Sequence, residues 1–197
     1  MTEHAIATES LTEPDGPADL IALADDVALA ARSFVETVQA IAAANSPDQS
    51  VSILLLELSS LLVAGAPLGA VQDVVPDEPY EPDAGYEVDV DRLRARLRDL
   101  LGPADDYIEV FDPYAPPQIV PARLSDDLAD ICSDLLHGLQ HHVTGRALEA
   151  LWWWQFSYLA TWGQAASAAL RALQSLASHV RLDVPMDVVP ELNVDGD

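Results

Sequence analysis

Asp127, Asp130, Asp134, His137 and His141 recur at steps of three and four, the spacing that aligns side chains along one side of an α-helix. Carboxylate oxygens and imidazole nitrogens on adjacent turns can hold a divalent cation. Asp130, Asp134, His137 and His141 are therefore the candidate metal ligands. Leu128, Ile131, Leu135 and Leu139 fall on the opposite side of the same helix, so the competing reading is a solvated polar face. One helix also offers ligands from a single direction, and the sequence names no second donor set. A divalent metal is the only cofactor this pattern admits; none is otherwise expected.

Glu57 is a second candidate. It is set in ILLLELSSLL, where desolvation would raise its pKa and suit it to acid or base work. The alternative is a structural carboxylate that reaches an arginine or a backbone group. Arg92, Arg94, Arg96 and Arg98 form the one basic cluster; an anion site is the sharper reading, pairing with the protein's own acidic segments the plainer one. The chain has no Gly-rich phosphate loop, no Gly-x-Ser-x-Gly elbow, no His-Glu-x-x-His and no Glu-x-x-His pair, and it lacks the clustered Glu-x-x-Glu metal box expected of an all-helical nucleotide pyrophosphohydrolase. The balance leans away from an enzyme.

Three adjacent tryptophans, Trp152 to Trp154, follow in LWWWQF. Successive helical side chains point about 100° apart, so the three rings cannot enter one core. On a wheel with Leu148 at zero, Leu151, Trp152, Phe156, Tyr158, Leu159, Trp162, Ala166, Leu170, Leu173 and Leu176 share a broad apolar side, which is expected to be core. Trp154 then sits at its flank, and Trp153 projects to the polar side with Ser157, Gln164, Arg171 and Ser175. Gln155 lies near the middle of the apolar arc and, if buried, needs partners across the bundle.

These residues are positioned by helices. Leu20, Ala24, Val27, Ala31, Phe34, Val38 and Ile41 predict a first helix over Pro17 to Ala44. Ser46, Pro47 and Gln49 predict the start of a second, which Gly65 and Pro67 stop. It is apolar all round, as the buried centre of a bundle would be. Residues 68 to 89 read as an acidic, proline-rich loop, and Val90 to Leu101 as a third helix ended by Gly102-Pro103. Tyr107 to Pro117 is the one plausible extended piece, with a turn at Asp112-Pro113, and no sheet of any size is expected. A fourth helix follows Ser125 to about Gly145, and a fifth covers Arg146 to His179 with a kink at Gly163. The expected architecture is an all-α, single-domain bundle of about five helices spanning 17 to 181. A disordered acidic leader (1 to 16) precedes it and an irregular acidic tail (182 to 197), packing through Val184, Met186 and Val188, follows.

At 197 residues the chain can bury a core without disulfide or metal support. Its formal charge is −24, yet 22 of the 33 acids lie in residues 1 to 19, 73 to 91, 105 to 112 and 183 to 197. The helical body is thus nearly ordinary in charge. Lysine is absent, and without a broad basic face direct nucleic-acid binding is not expected. The single cysteine, Cys132, points to a reducing compartment. The N-terminus lacks a signal pattern, and the longest apolar run, Ile53 to Gly65, is broken by Glu57, Ser59 and Ser60. It falls short of the roughly 20 residues a membrane span needs. A cytoplasmic location without membrane attachment is expected.

FDPY at 111–114, DDLADICSDL at 126–135, LWWWQFSY at 151–158, TWG at 161–163 and ALRAL at 169–173 together resemble an uncharacterised, mainly actinobacterial family of acidic helical proteins, a domain of unknown function. The resemblance covers most of residues 20 to 180 and implies a helical cytoplasmic protein without assigning an activity or cofactor. Histidines often flank the Trp-Gly pair in that pattern, whereas Thr161 and Ala165 stand here, so a site built on those histidines does not carry over. Asp127, Asp130 and Asp134 match. The expected function is a non-enzymatic binding or adaptor protein that presents Trp153, Trp154 and the neighbouring acids to an unidentified protein partner. A metal-dependent enzyme or small-ligand binder on the Asp/His stripe is the alternative, and an acidic nucleic-acid mimic a third. Oligomeric state is not legible.

Overall fold

In the computed structural model, residues 16–44, 47–76, 89–110 and 114–183 are described. The expectations for the leader, for Ser46, for the Asp112-Pro113 turn and for Val184, Met186 and Val188 lie outside them.

Helix α1 (Pro17–Ala44) and helix α2 (Pro47–Gly65) keep the predicted starts, because proline suits the first helical turn, where no intrahelical N–H is required. A 3₁₀ turn, Ala66–Gly69, ends α2. Helix α3 (Val90–Leu101) is capped by the Asp89 carboxylate, which accepts from the Arg92 N–H at 3.0 Å, and it stops at Gly102, whose φ of 52° favours glycine. Leu93, Leu97 and Leu101 are its buried side. The alternating arginines thus belong to a helix.

Strands β1 (Asp106–Val110) and β2 (Ile119–Arg123) form an antiparallel hairpin with Ile108 opposite Pro121 and Val110 opposite Ile119. The first strand was expected. The second was not, because a five-residue segment carrying a central proline has little strand signature. Here the proline is tolerated because each strand of a two-stranded sheet has a free edge.

Helix α4 (Leu124–Val143) begins directly from β2. Its first turn is capped by a side chain twenty residues earlier: buried Asp105 accepts from the Ser125 N–H and the Ser125 hydroxyl, both at 2.7 Å. Helix α5 (Ala147–Ser157) runs through a π turn (Tyr158–Trp162) into helix α6 (Gly163–Leu182), so the fifth predicted helix is one rod in two phases. The expected kink at Gly163 is this π turn, one turn earlier. The Gly163 N–H bonds the Tyr158 carbonyl five residues back. A Cβ at 163 would collide with that carbonyl and with the Tyr158 ring, which accounts for the glycine of the TWG motif.

The centre of the bundle is α4, which packs against α1, α3, α5 and α6. Leu128, Ile131, Cys132 and Leu135 are its buried face, joined by Phe34, Leu97, Trp154 and Trp162. Burial pushes the Cys132 thiol up to about 12. The expectation that α2 forms the centre is overturned. Its principal helical partners are α1 and α6, and Leu56 and Val63 are 65% and 77% exposed. An all-apolar helix is equally compatible with a core and with an uncovered apolar side, and here the second applies. By length and composition both α1 and the stretch Gln49–Gly69 could cross a membrane, the latter being longer than the sequence reading allowed; core helices of soluble proteins meet the same criterion.

Candidate functional site

Along the α4 stripe Asp130 is exposed, Asp127, Asp134 and His137 are half-buried and His141 is buried. Each of its members is engaged by a neighbouring side chain. Asp127 accepts from the Tyr107 hydroxyl at 2.7 Å, fastening the hairpin to α4. Asp130 accepts from Arg94 at 2.7 Å, and the same guanidinium reaches Asp91 at 2.7 Å and Asp126 at 3.1 Å. Arg98 adds contacts to Asp105 and Asp126. Two arginines of the cluster thus serve the plainer purpose expected of it, docking α3 on the acidic start of α4.

Farther along, Asp134 accepts from Thr161 in the π turn, one of the two positions where the family resemblance implies histidine. Burial raises the Asp134 carboxyl, while the Thr161 hydrogen bond and His137 pull it back. His137 lies against the Trp153 ring, with centroids 4.1 Å apart. His141 is buried, its ring 6.2 Å from that of Trp153 and 6.0 Å from that of His137, and it bonds Glu149 through Nδ1 at 3.1 Å. Glu149 also accepts from Arg146 at 3.3 Å. Among the described residues, no three His, Cys, Asp or Glu side chains gather as metal ligands would. Glu57 is elsewhere: it accepts from Ser33 of α1 at 3.2 Å across the α1–α2 contact.

The tryptophans divide differently from the wheel. Trp154, expected at the flank and in the binding surface, is 0% exposed. Its indole lies over Gly138, where any Cβ would strike it, and Nε1 donates to the Leu135 carbonyl at 3.1 Å. Trp152 and Trp153 are half-buried, while Phe156 and Leu159, read as core, are 55% and 54% exposed. The cause is the π turn. It takes up one extra residue and so offsets the helical phase by about 100° between α5 and α6, whereas a helical wheel carries one constant phase through both. The core side of α5 is Ala150, Leu151, Trp154 and Gln155; that of α6 is Trp162, Ala166, Ala169 and Leu173. Trp152, Phe156 and Leu159 are left on the outside, at steps of four and three. Trp152 and Phe156 stack with centroids 5.4 Å apart and planes 2° from parallel, and Trp153 meets Trp152 edge-on at 4.9 Å. The only hint of this ledge in the sequence is Gly163.

Gln155 finds the partners its burial demands. Its Oε1 accepts from the Val74 N–H at 2.8 Å, and Nε2 donates to the carbonyls of Leu68, Gln72 and Val71 at 3.1, 3.2 and 3.4 Å. One amide therefore holds the chain that leaves α2.

The Asp127 carboxyl is pushed up to about 7, chiefly by burial and further by Glu109, Asp130 and Asp126, against the hydrogen bond from Tyr107. The Tyr107 phenol is raised as well, by burial and by that carboxylate. Between the ordinary value near 3.8 and about 7, the folded state binds more protons at Asp127 than the unfolded state, so this group's contribution to stability falls as pH rises through that window. The wild-type protein is therefore expected to gain Tm relative to Asp127→Asn when pH is lowered from about 8 to about 5. Parallel Tm profiles from the two proteins would rule this out.

A family model described as a domain of unknown function, DUF5063, matches residues 19–179. Among solved structures the chain is similar to protein BF1032 from Bacteroides fragilis, with a TM-score of 0.63 and 20% sequence identity over 77% of this chain and 90% of that one. At that identity the likeness shows a shared helical fold. No curated protein matches the chain.

Proposed function

This chain belongs to the DUF5063 family, domains of unknown function, and from its own geometry we propose that it is a protein-binding module that works by capture rather than catalysis. The docking surface of this proposal is the ledge of Trp152, Phe156 and Leu159, with Trp153 behind it. The observation that carries it is the stacked Trp152–Phe156 pair, whose outer ring is more than half exposed. Aromatic side chains held rigid by their neighbours lose little entropy on binding and concentrate interface energy. Trp153 and its histidines supply that rigidity. A partner of matching chemistry presents apolar side chains to the ledge, as a helix or extended segment laid along α5 would.

The competing reading, a metal-dependent enzyme using Asp130, Asp134, His137 and His141, has less support, since Arg94, Thr161, Trp153 and Glu149 already engage those four side chains. A cytoplasmic location is part of the proposal; Cys132 is a buried free thiol, as suits a reducing compartment.

A photocrosslinking side chain placed at position 156 in the native cell is the direct test. It is expected to trap one protein species that the same group at exposed Gln174 does not trap. Phe156→Ala is then expected to lose that partner with little change in Tm, since the ring is already largely in water. Equal adduct patterns from the two positions would remove the ledge as a docking surface.

A further inference from the structure

We propose that α2 is a self-association surface, pairing antiparallel with α2 of a second copy of this chain about a two-fold axis near residue 58. The proposal is independent of the aromatic ledge and rests on a different face.

The exposed side of α2 and the turn after it is Gln49, Ile53, Leu56, Ser60, Val63 and Pro67. The steps are four, three, four, three and four, the a/d spacing along which two helices mesh knobs into holes. A solvent-facing stripe of a soluble helix has no reason to keep apolar residues at that period unless something covers it. The outward side of α1 is mixed instead, with Asp25, Asp26, Arg32 and Glu36 exposed beside Ile21 and Leu29.

Charge argues for a copy of the same chain. The protein carries a formal charge of −24, so two copies repel at most approaches. The α2 stripe has no ionisable side chain, and the one ionisable residue between Gln49 and Pro67, Glu57, is turned to Ser33 of α1. Identical surfaces can meet there without opposing like charges.

The stripe is also complementary to itself when reversed. About residue 58, Leu56 falls opposite Ser60 of the second copy, and Ile53 opposite Val63. The exposed leucine thus faces the smallest side chain of the stripe, as interdigitation requires. A parallel pairing would instead set Leu56 against Leu56 and Ser60 against Ser60, leaving a gap at the serines. Burial on α1 and α6 takes up only the other side of α2, so the stripe is available in the folded chain.

Analytical ultracentrifugation of the full chain at about 100 µM, well above micromolar affinity, should give twice the 21.2 kDa chain mass. Leu56→Glu would bury two unpaired carboxylates and is expected to raise the dimer dissociation constant about 100-fold or more. Its far-UV circular dichroism should stay native, because Leu56 is already 65% exposed in the single chain. For the register, a mixture of Ile53→Cys and Val63→Cys proteins should be joined by a short bis-maleimide, and neither protein alone should be, since each position lies about 15 Å along the axis from its own copy. A wild-type monomer at that concentration overturns the proposal, as does a Leu56→Glu dimer or crosslinking of Val63→Cys by itself. Monomeric protein that floats with phosphatidylcholine vesicles, and stops doing so as Leu56→Glu, would also overturn it and mark a lipid-facing helix instead.

Discussion

Trp154→Ala is expected to lower the stability of the fold by about 3–5 kcal/mol, the range for deleting a buried aromatic side chain and leaving its cavity. For a domain of this length that lowers Tm by roughly 6–20 °C. Collapse cannot refill the space cheaply, because the indole occupies a socket made by Gly138 on the central helix, and Gly138 has no side chain with which to follow it. The hydrogen bond to the Leu135 carbonyl goes too. The Trp154 carbonyl is in turn the acceptor for Trp162 Nε1 at 3.2 Å, so the two largest fully buried rings are linked. Trp153→Ala should cost much less, because that ring is half-buried. Urea melts followed by circular dichroism separate the two variants, and equal losses would mean that Trp153 anchors α5 as firmly as Trp154 does.

Gln155→Leu, one residue along, is expected to cost about 2–4 kcal/mol although it adds apolar volume, because it strands the buried Val74 N–H and the Leu68 carbonyl without partners. Gln155→Glu distinguishes this account from a packing effect. One carboxylate oxygen could still accept from Val74, but the other would face the carbonyls of Leu68, Val71 and Gln72. The neutral acid can donate there and the anion cannot, so the folded-state pKa of the introduced group would rise above its ordinary value of about 4.3. Its stabilising contribution would then be present below that value and lost as pH rises through the folded one. Chemical denaturation of Gln155→Glu at about pH 4 and pH 8 should therefore show a larger deficit against wild type at the higher pH. A deficit independent of pH would remove the hydrogen-bond explanation.

Where the sequence carried local signals, the expectation and the structure agree. Pro17 and Pro47 mark helix starts through backbone chemistry that acts within one turn. Gly102 marks a helix end in the same way, and the three-and-four spacing of Leu93, Leu97 and Leu101 settles α3 as a helix despite its alternating arginines. Statements that depended on distant partners fared differently. The acids of α4 read as solvated because Arg94 and Tyr107 are many residues away, and no pattern along the chain says that α3 and the hairpin fold back over them. The apolar girth of α2 suggested a centre, but periodicity reports how much of a helix avoids water, not whether its own chain supplies the cover. The tryptophans were misassigned for a third reason. A helical wheel assumes constant winding, and the one place where the winding changes lies between the residues being compared. Gln155 was legible in half: its burial followed from the apolar arc, its partners did not.

The π turn has a further consequence for how this surface can change over generations. Because winding is altered at Tyr158–Trp162, the inward residues of α5 answer mainly to α4 and α1 while those of α6 answer mainly to α2, with α4 packed against both. Trp152, Phe156 and Leu159 are released from both. They are free to drift toward a new partner without retuning the core, whereas loss of a single residue within the turn would rewind the rod and turn that outward strip inward. The segment is thereby tolerant of exchange and intolerant of deletion.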